Sequence, residues 1–180
     1  MQTSSNKNYY SSRDLLKMEI GLQNYTQNIV RYFHKFVESE ASLSNFKMLD
    51  FGAGTGVLAQ IWFENYSIKP DCVEIDAELI QILRKRGFRV FSNLNEINND
   101  YSCIYISNVL EHIEKDTKVL KSLAQKIKYN GKIIIYVPAF PFLFSGLDHK
   151  VGHFQRYRKK ELLQKVSDSG FSITHIYYSD

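Results

Sequence analysis

Gly52, Gly54 and Gly56 alternate with Ala53 and Thr55 in the stretch Asp50-Phe-Gly-Ala-Gly-Thr-Gly56. Losing every second side chain lets a backbone bend sharply and approach a ligand closely. The stretch ends a strand-like run and opens a helical one, the position at which such a turn cradles a cofactor. Its G-x-G-x-G spacing departs from the G-x-G-x-x-G that seats a pyrophosphate on a helix N-terminus. Asp50, ahead of the glycines, would repel a pyrophosphate and suits a ligand that carries an ammonium and a sulfonium. Glu74 ends the next strand-like run, Asp71-Cys-Val-Glu-Ile-Asp76, where a carboxylate can accept hydrogen bonds from two ribose hydroxyls. Asp76 competes for that part but is better placed to cap the helix that starts at Ala77. Further along, Ser107-Asn-Val-Leu-Glu-His-Ile113 and Asp148-His-Lys-Val-Gly-His-Phe-Gln-Arg-Tyr157 bring in three histidines, His112, His149 and His153, and one arginine, Arg156.

These residues need elements to hold them. Leu22, Tyr25, Ile29, Phe33 and Phe36 recur at three-to-four spacing, which predicts helix over 12–38, divided at Gly21. From Phe46 the period changes. Strands are predicted at 46–51, 71–75, 88–92, 102–107, 132–138 and 171–178, and helices at 56–66, 77–86, 115–128 and 159–169. Alternation of this kind produces βαβ crossovers and a parallel sheet covered by helices on both faces. The expected fold is a doubly wound, Rossmann-like α/β sandwich, with a helical segment at 1–45 packed on a core domain at 46–180. Ligands of such sheets lie beyond the carboxyl ends of the strands, so Gly52, Glu74 and Asn108 stand where chemistry is expected. Residues 139–158 read as a long irregular loop rich in aromatics, and loops of that length are usually functional.

At 180 residues, 44% hydrophobic and 14% aromatic, the chain fits one globular domain and excludes widespread disorder. Its longest apolar runs fall well short of the roughly 20 residues of a membrane span. The polar N-terminus lacks the apolar stretch of a secretory signal, so a cytoplasmic protein is expected. Cys72 and Cys103 each lie alone in a strand-like run and read as small core residues. The net charge of +4 is uneven, since residues 115–165 hold 12 Lys and Arg against 3 acids. That half can guide an anionic partner, or its lysines can simply be the solvated faces of helices.

Through Leu49-Asp-Phe-Gly-Ala-Gly-Thr-Gly56, Val73-Glu-Ile-Asp76 and Ser107-Asn-Val-Leu-Glu-His-Ile113, the chain resembles class I S-adenosylmethionine-dependent methyltransferases from about Phe46 onward. The resemblance implies that Asp50, Gly52, Ala53, Gly54 and Gly56 hold the methionine part of the cofactor and Glu74 its ribose. It also implies that Ile75, Asn93 and Leu94 flank the adenine and that Asn108 closes the pocket. The segment from Asp148 to Tyr157, followed by a helix and Ser169-Gly-Phe-Ser-Ile173, resembles a subgroup with Gly-His and Arg-Arg-Tyr after strand five. That subgroup is often linked to glycan or lipid-linked sugar assembly. Gln155 replaces its first Arg. Family members usually add a seventh, antiparallel strand between strands five and six; the sequence stops at Asp180, where strand six should end, so either a truncated form or a differently paired strand six is expected. An exposed sheet edge is expected there, open to pairing with a second copy.

Methyl transfer from a sulfonium to a hydroxyl requires an in-line approach and a base. His153 is the first candidate, being in the loop over the strand ends beside Arg156 and Tyr157, and His112 the second. His149, Arg156 and Tyr157 are candidates for binding the acceptor, a small molecule or a glycan or lipid-linked species. Arg156 can clamp a phosphate or carboxylate, or form a plain surface ion pair. Phe140, Phe142, Phe144, Phe154 and Tyr157 can form a lid or pack the loop onto the sheet. Some quinol O-methyltransferases bind a divalent cation through Glu-x-x-Glu-His, but Asn108 replaces the first carboxylate, so no metal is expected. Other readings are a cofactor-binding pseudoenzyme or truncated regulatory or assembly protein and, for the basic half, an RNA methyltransferase. The latter lacks an RNA-binding module and an Asn-Pro-Pro-Tyr signature after strand four. No DNA partner is indicated, and an NAD-dependent oxidoreductase is the remotest alternative.

Overall fold

The computed structural model describes residues 21–98 and 100–179. Its centre is a five-stranded, wholly parallel sheet of β1 (Met48–Phe51), β2 (Asp71–Val73), β3 (Val90–Phe91), β4 (Tyr101–Ser107) and β5 (Ile127–Tyr136), in the order β3-β2-β1-β4-β5. The helices are α1 (Gln23–His34), α2 (Glu38–Ala41), α3 (Val57–Tyr66), α4 (Ala77–Lys85), α5 (Asp116–Ala124), α6 (Gly146–Val151) and α7 (Lys159–Ser167). The order reverses between β1 and β4, the switch point at which doubly wound sheets open a crevice.

β4 is buried along nearly its whole length, and its side chains alternate between the two faces of the sheet. Ile104 and Ile106 join Leu49, Leu120, Leu123 and Val166 in one core layer. Cys103 and Tyr105 join Met48, Trp62, Ile29, Val30 and Phe33 in the other. Both cysteines are fully buried and free. On α1 the buried stripe is Thr26, Ile29, Val30 and Phe33, whereas Leu22 and Tyr25 are exposed. The expected stripe is therefore rotated by part of a turn. The helix predicted ahead of Gly21 lies outside the described residues.

Three expectations need correction. Residues 171–179 form no strand, although Phe171 and Ile173 do pack on the core. They are held by aromatic contacts, Phe36 with His175 and Phe140 with Tyr178, and by the Ser179 hydroxyl donating to that of Tyr136. An alternating pattern satisfies packing without a backbone ladder, and a groove of about 720 Å³ runs beside β5. Among the described residues β5 pairs only with β4. Second, β5 begins at Ile127, inside the predicted helix. A bulge there sets Ile127 opposite Tyr101 but Lys132 opposite Cys103. Asn130 has φ of 60°, and a Cβ on Gly131 would lie 2.9 Å from the Tyr101 carbonyl oxygen, so the turn needs a glycine. Third, the loop at 139–158 contains α6.

Candidate active site

The glycine turn leaves β1 with all three glycines in left-handed conformations, φ being 77°, 57° and 86° at Gly52, Gly54 and Gly56. They do different work. A Cβ on Gly52 would lie 2.5 Å from Val109, and one on Gly56 2.5 Å from Leu83, so these two admit neighbouring side chains. A Cβ on Gly54 would meet nothing within 4 Å. Gly54 alone has open space before it. Ala53 and Gly52 donate their N–H groups to the Val73 carbonyl, at 3.0 and 2.9 Å, which ties the turn to β2.

Asp50 is 2% exposed. It lies opposite Tyr105 on β4, whose hydroxyl donates to it at 2.7 Å. Burial pushes its carboxyl up to about 7; the Tyr105 hydrogen bond opposes that rise and the Glu74 charge adds to it. A cation placed beside Asp50 would reverse the effect.

Glu74 is buried just past β2. One carboxylate oxygen accepts from Gly54 N–H at 2.8 Å and the other from the N–H groups of Ile75 and Asp76 at 2.7 and 3.0 Å. Three of the roughly four acceptor positions of a carboxylate are thus filled by backbone. Asp76 caps α4 through the N–H groups of Glu78 and Leu79, as its position suggested. Ile75 is 72% exposed, a large apolar side chain beside the crevice. Asn93 caps the single turn Leu94–Glu96, accepting from Asn95 N–H and donating to Glu96. Leu94 packs against the core.

Asn108, at φ 52° after β4, donates its N–H to the Tyr136 carbonyl, and its side-chain amide lies 3.5 Å from the Tyr25 hydroxyl. Val109 covers Gly52, so the next turn, Leu110–His112, sits directly against the glycine turn. Here Glu111, His112 and His153 come together, with ligand-capable atoms within 4.8 Å of one another. Two imidazoles and a carboxylate at that spacing could hold a divalent cation. Glu111 is 1% exposed and one of its oxygens has no hydrogen-bond partner; burial and then, in the same direction, Asp148 push its carboxyl up to about 7, against a backbone hydrogen bond. Burial and the neighbouring His153 hold His112 below the usual imidazole range.

Asp148, which the motif supplied without a role, is the hub of this side. It is buried and accepts from Arg156 at 2.7 and 3.1 Å and from Ser145 N–H at 2.8 Å, with His153 Nδ1 2.8 Å away. Arg156 first, with further help from His153 and Ser145, holds its carboxyl well below the usual range despite burial. An ionised Asp148 only accepts, so His153 donates from Nδ1, and in the neutral ring Nε2 is the nitrogen open to accept. Nε2 lies 3.9 Å from Glu111, too far for a hydrogen bond. His149 is exposed and stands edge-on to Phe144 at 4.8 Å. The Ser145 and Asp148 side chains form a capping box at the start of α6, a serine and acid three residues apart that the sequence offers as a helix start.

Tyr157 is 2% exposed and points into the core, donating to Asp116 at 2.9 Å. Gln155 and Lys165 donate to the same Asp116 oxygen at 2.8 and 2.7 Å. Lys165, from α7, supplies the cation at a position where Gln155 brings none. Burial works against the Asp116 charge, but the hydrogen bonds of Lys165 and Tyr157 outweigh it and hold the carboxyl below its usual range. Lys165→Met leaves that carboxylate buried with neutral donors only, from Gln155, Tyr157 and Thr117, and is expected to destabilise the protein by about 3 kcal/mol at pH 7. A depressed carboxyl stabilises the fold above its unfolded value and loses that contribution as pH falls through the folded value. The wild-type advantage should therefore shrink below pH 4, as measured by urea unfolding.

Residues 22–176 match the family described as methyltransferase domain. An uncharacterized protein of Methanocaldococcus jannaschii is 25% identical over 158 residues, 82% of this chain and 75% of its own. The fold is similar to that of a SAM-dependent methyltransferase from Archaeoglobus fulgidus, with a TM-score of 0.67 and 17% identity over 88% of this chain and 74% of that one. It is also similar to Haemonchus contortus phosphoethanolamine N-methyltransferase 2 in complex with S-adenosyl-L-methionine. That TM-score is 0.74, with 14% identity over 92% of this chain and 43% of that one. With the family matched along most of its length and the sheet order and glycine turn in place, this chain belongs to the methyltransferase domain family.

Proposed function

We propose that this protein transfers the methyl group of S-adenosylmethionine to an oxygen of a small-molecule, glycan or lipid-linked acceptor, with His153 as the base. The observation that carries the reading is Gly54, left-handed and open in front, set between buried Asp50 and buried Glu74. A ligand lying on Gly54 meets one carboxylate at each end. Asp50 suits the ammonium of the methionine moiety and Glu74 the ribose diol, whose hydroxyls would replace the Gly54 N–H on the carboxylate. Ile75 and Leu94 would flank the adenine, Asn93 would line its edge, and Asn108 would close the pocket.

Bound S-adenosylmethionine would supply a methyl on a sulfonium that leaves as a neutral thioether, and His153 Nε2 would take the acceptor's proton as the oxygen–methyl bond forms. Asp148 aligns the ring through its Nδ1, as a carboxylate does behind a catalytic imidazole. His112 stands edge-on to His153 at 4.7 Å and is the second group at the acceptor side. Arg156, held by Asp148, and exposed His149 border the same loop and would meet an anionic part of the acceptor. Tyr157 supports it from beneath.

The test measures S-adenosylhomocysteine binding by calorimetry and methyl transfer from labelled cofactor to extract fractions. His153→Ala is expected to lower turnover about 10²–10⁴-fold with cofactor affinity unchanged. Binding without transfer to any acceptor fraction would leave only a cofactor-binding scaffold. Added chelator should not alter the rate. A rate lost to chelator and restored by a divalent cation would place a metal at Glu111, His112 and His153 instead.

A further inference from the structure

We propose that the connection between β5 and α7 is a membrane-docking surface, by which the protein seats peripherally on a bilayer containing anionic lipid. Five large apolar side chains are exposed within residues 140–154: Phe140 at 39%, Phe142 at 79%, Leu143 at 51%, Leu147 at 62% and Phe154 at 59%. Single exposed apolar residues are ordinary on any protein, but a concentration of this kind on one short connection marks an interaction site. The group is built rather than loose. Phe140 stacks on Tyr178 at 4.7 Å and meets Phe142 at 5.6 Å. Its backbone is left-handed, with φ of 61°, and is pinned by its N–H to the Tyr157 carbonyl. A bulky residue is rarely held in that conformation, and such outliers persist where surrounding structure fixes them.

Charge names the occupant. From Ala139 to Lys160 the only acid is Asp148, which is buried and bound to Arg156. The exposed charges of that segment are Lys150, Arg158, Lys159 and Lys160, all positive. The main-chain bridge between Ala139 and Tyr157 places Arg158 next to Phe140. Apolar side chains on a segment whose exposed charges are all basic fit the interface of an anionic bilayer, where the former enter the headgroup region and the latter pair with lipid phosphates. A second protein copy would bring the same positive charges against themselves. Among the described residues no helix is long and apolar enough to cross a membrane; the docking proposed is of this connection onto the bilayer surface.

The surface also adjoins the acceptor side, because Phe154 donates its N–H to the Glu111 carbonyl at 2.7 Å. Docking would thus bring Glu111 and His153 near the headgroups, where a lipid-linked acceptor would be met. The proposal stands apart from the choice of acceptor, since binding to vesicles and binding of S-adenosylhomocysteine are measured separately.

The test is co-sedimentation of the whole chain with vesicles of phosphatidylcholine alone or mixed with phosphatidylglycerol. Binding to the mixed vesicles is expected to be roughly tenfold stronger, and to weaken in high salt. Phe142→Ser with Leu147→Ser should abolish it at any salt, and Lys150→Glu with Lys160→Glu should abolish the preference for anionic lipid. All of these side chains are exposed, so S-adenosylhomocysteine affinity and the unfolding midpoint should hold. Three results would overturn the proposal: no vesicle binding, binding untouched by the two apolar substitutions, or a concentration-dependent dimer in place of vesicle binding.

Discussion

Gly54→Val is expected to weaken S-adenosylhomocysteine binding by roughly 100-fold or more while the protein stays folded. A Cβ at Gly54 clashes with nothing, because outside its chain neighbours no heavy atom lies within 4 Å of that position. The cost to the fold is only that of a branched residue at φ 57°, about 1–2 kcal/mol, or a fall of about 2–8 °C in melting temperature. The cost to the ligand is steric. The space that makes the substitution tolerable is the space the cofactor is proposed to fill, and a valine there lifts the ligand off the backbone.

Its neighbours should behave in the opposite way. At Gly56 a new Cβ would lie 2.5 Å from a methyl of Leu83, itself fully buried between α4 and the sheet, and at Gly52 it would lie 2.5 Å from Val109. Alanine at either site forces repacking and strains a left-handed backbone, so these variants lose stability first. Calorimetry and thermal melts on Gly54→Val and Gly56→Ala would separate the two. If Gly54→Val binds the cofactor normally, the ligand does not lie on this turn.

Much of the architecture was legible because it is encoded locally. The shift from three-to-four spacing to alternating strands and helices, the glycine turn and the Asp76 cap each lie within a few residues of chain. The sixth strand failed because alternation records which side chains pack rather than which backbone pairs: among the described residues the outer edge of β5 is free, yet Phe171 and Ile173 satisfy the pattern by packing on α7 and the core. The helix α6 went unread although Ser145 and Asp148 spell its capping box, since the aromatics around it suggested a loop. At the acceptor side, Glu111, His112 and His153 were visible one by one. Their meeting, and the part of Asp148 behind His153, depends on the turn after β4 reaching the turn after α6. Gln155 looked like a missing charge; Lys165, a helix further along, supplies one at the same partner.

Asp50→Asn should stabilise the free protein and cripple its cofactor binding, and the two effects should move in opposite directions with pH. The folded protein raises the Asp50 carboxyl from its ordinary value to about 7, so it binds that proton more tightly than the unfolded chain does. Stability is then greatest below about pH 4 and falls as pH rises to about 7, by on the order of 4 kcal/mol from this residue. Glu111, also raised to about 7, adds to the same slope. Asparagine keeps an oxygen to accept from the Tyr105 hydroxyl and has no charge to desolvate, so the variant should melt higher at pH 7.5, with a shallower decline above pH 5. Cofactor binding runs the other way. The proposed ammonium beside Asp50 favours the ionised carboxylate, so wild-type affinity for S-adenosylhomocysteine should increase between pH 5.5 and 7.5. In Asp50→Asn that increase should vanish, leaving binding roughly tenfold or more weaker at pH 7.5 and much closer to wild type at pH 5.5. A wild-type affinity flat across this range would mean that Asp50 does not face the cation, and that its role is to hold Tyr105 and the switch point of the sheet.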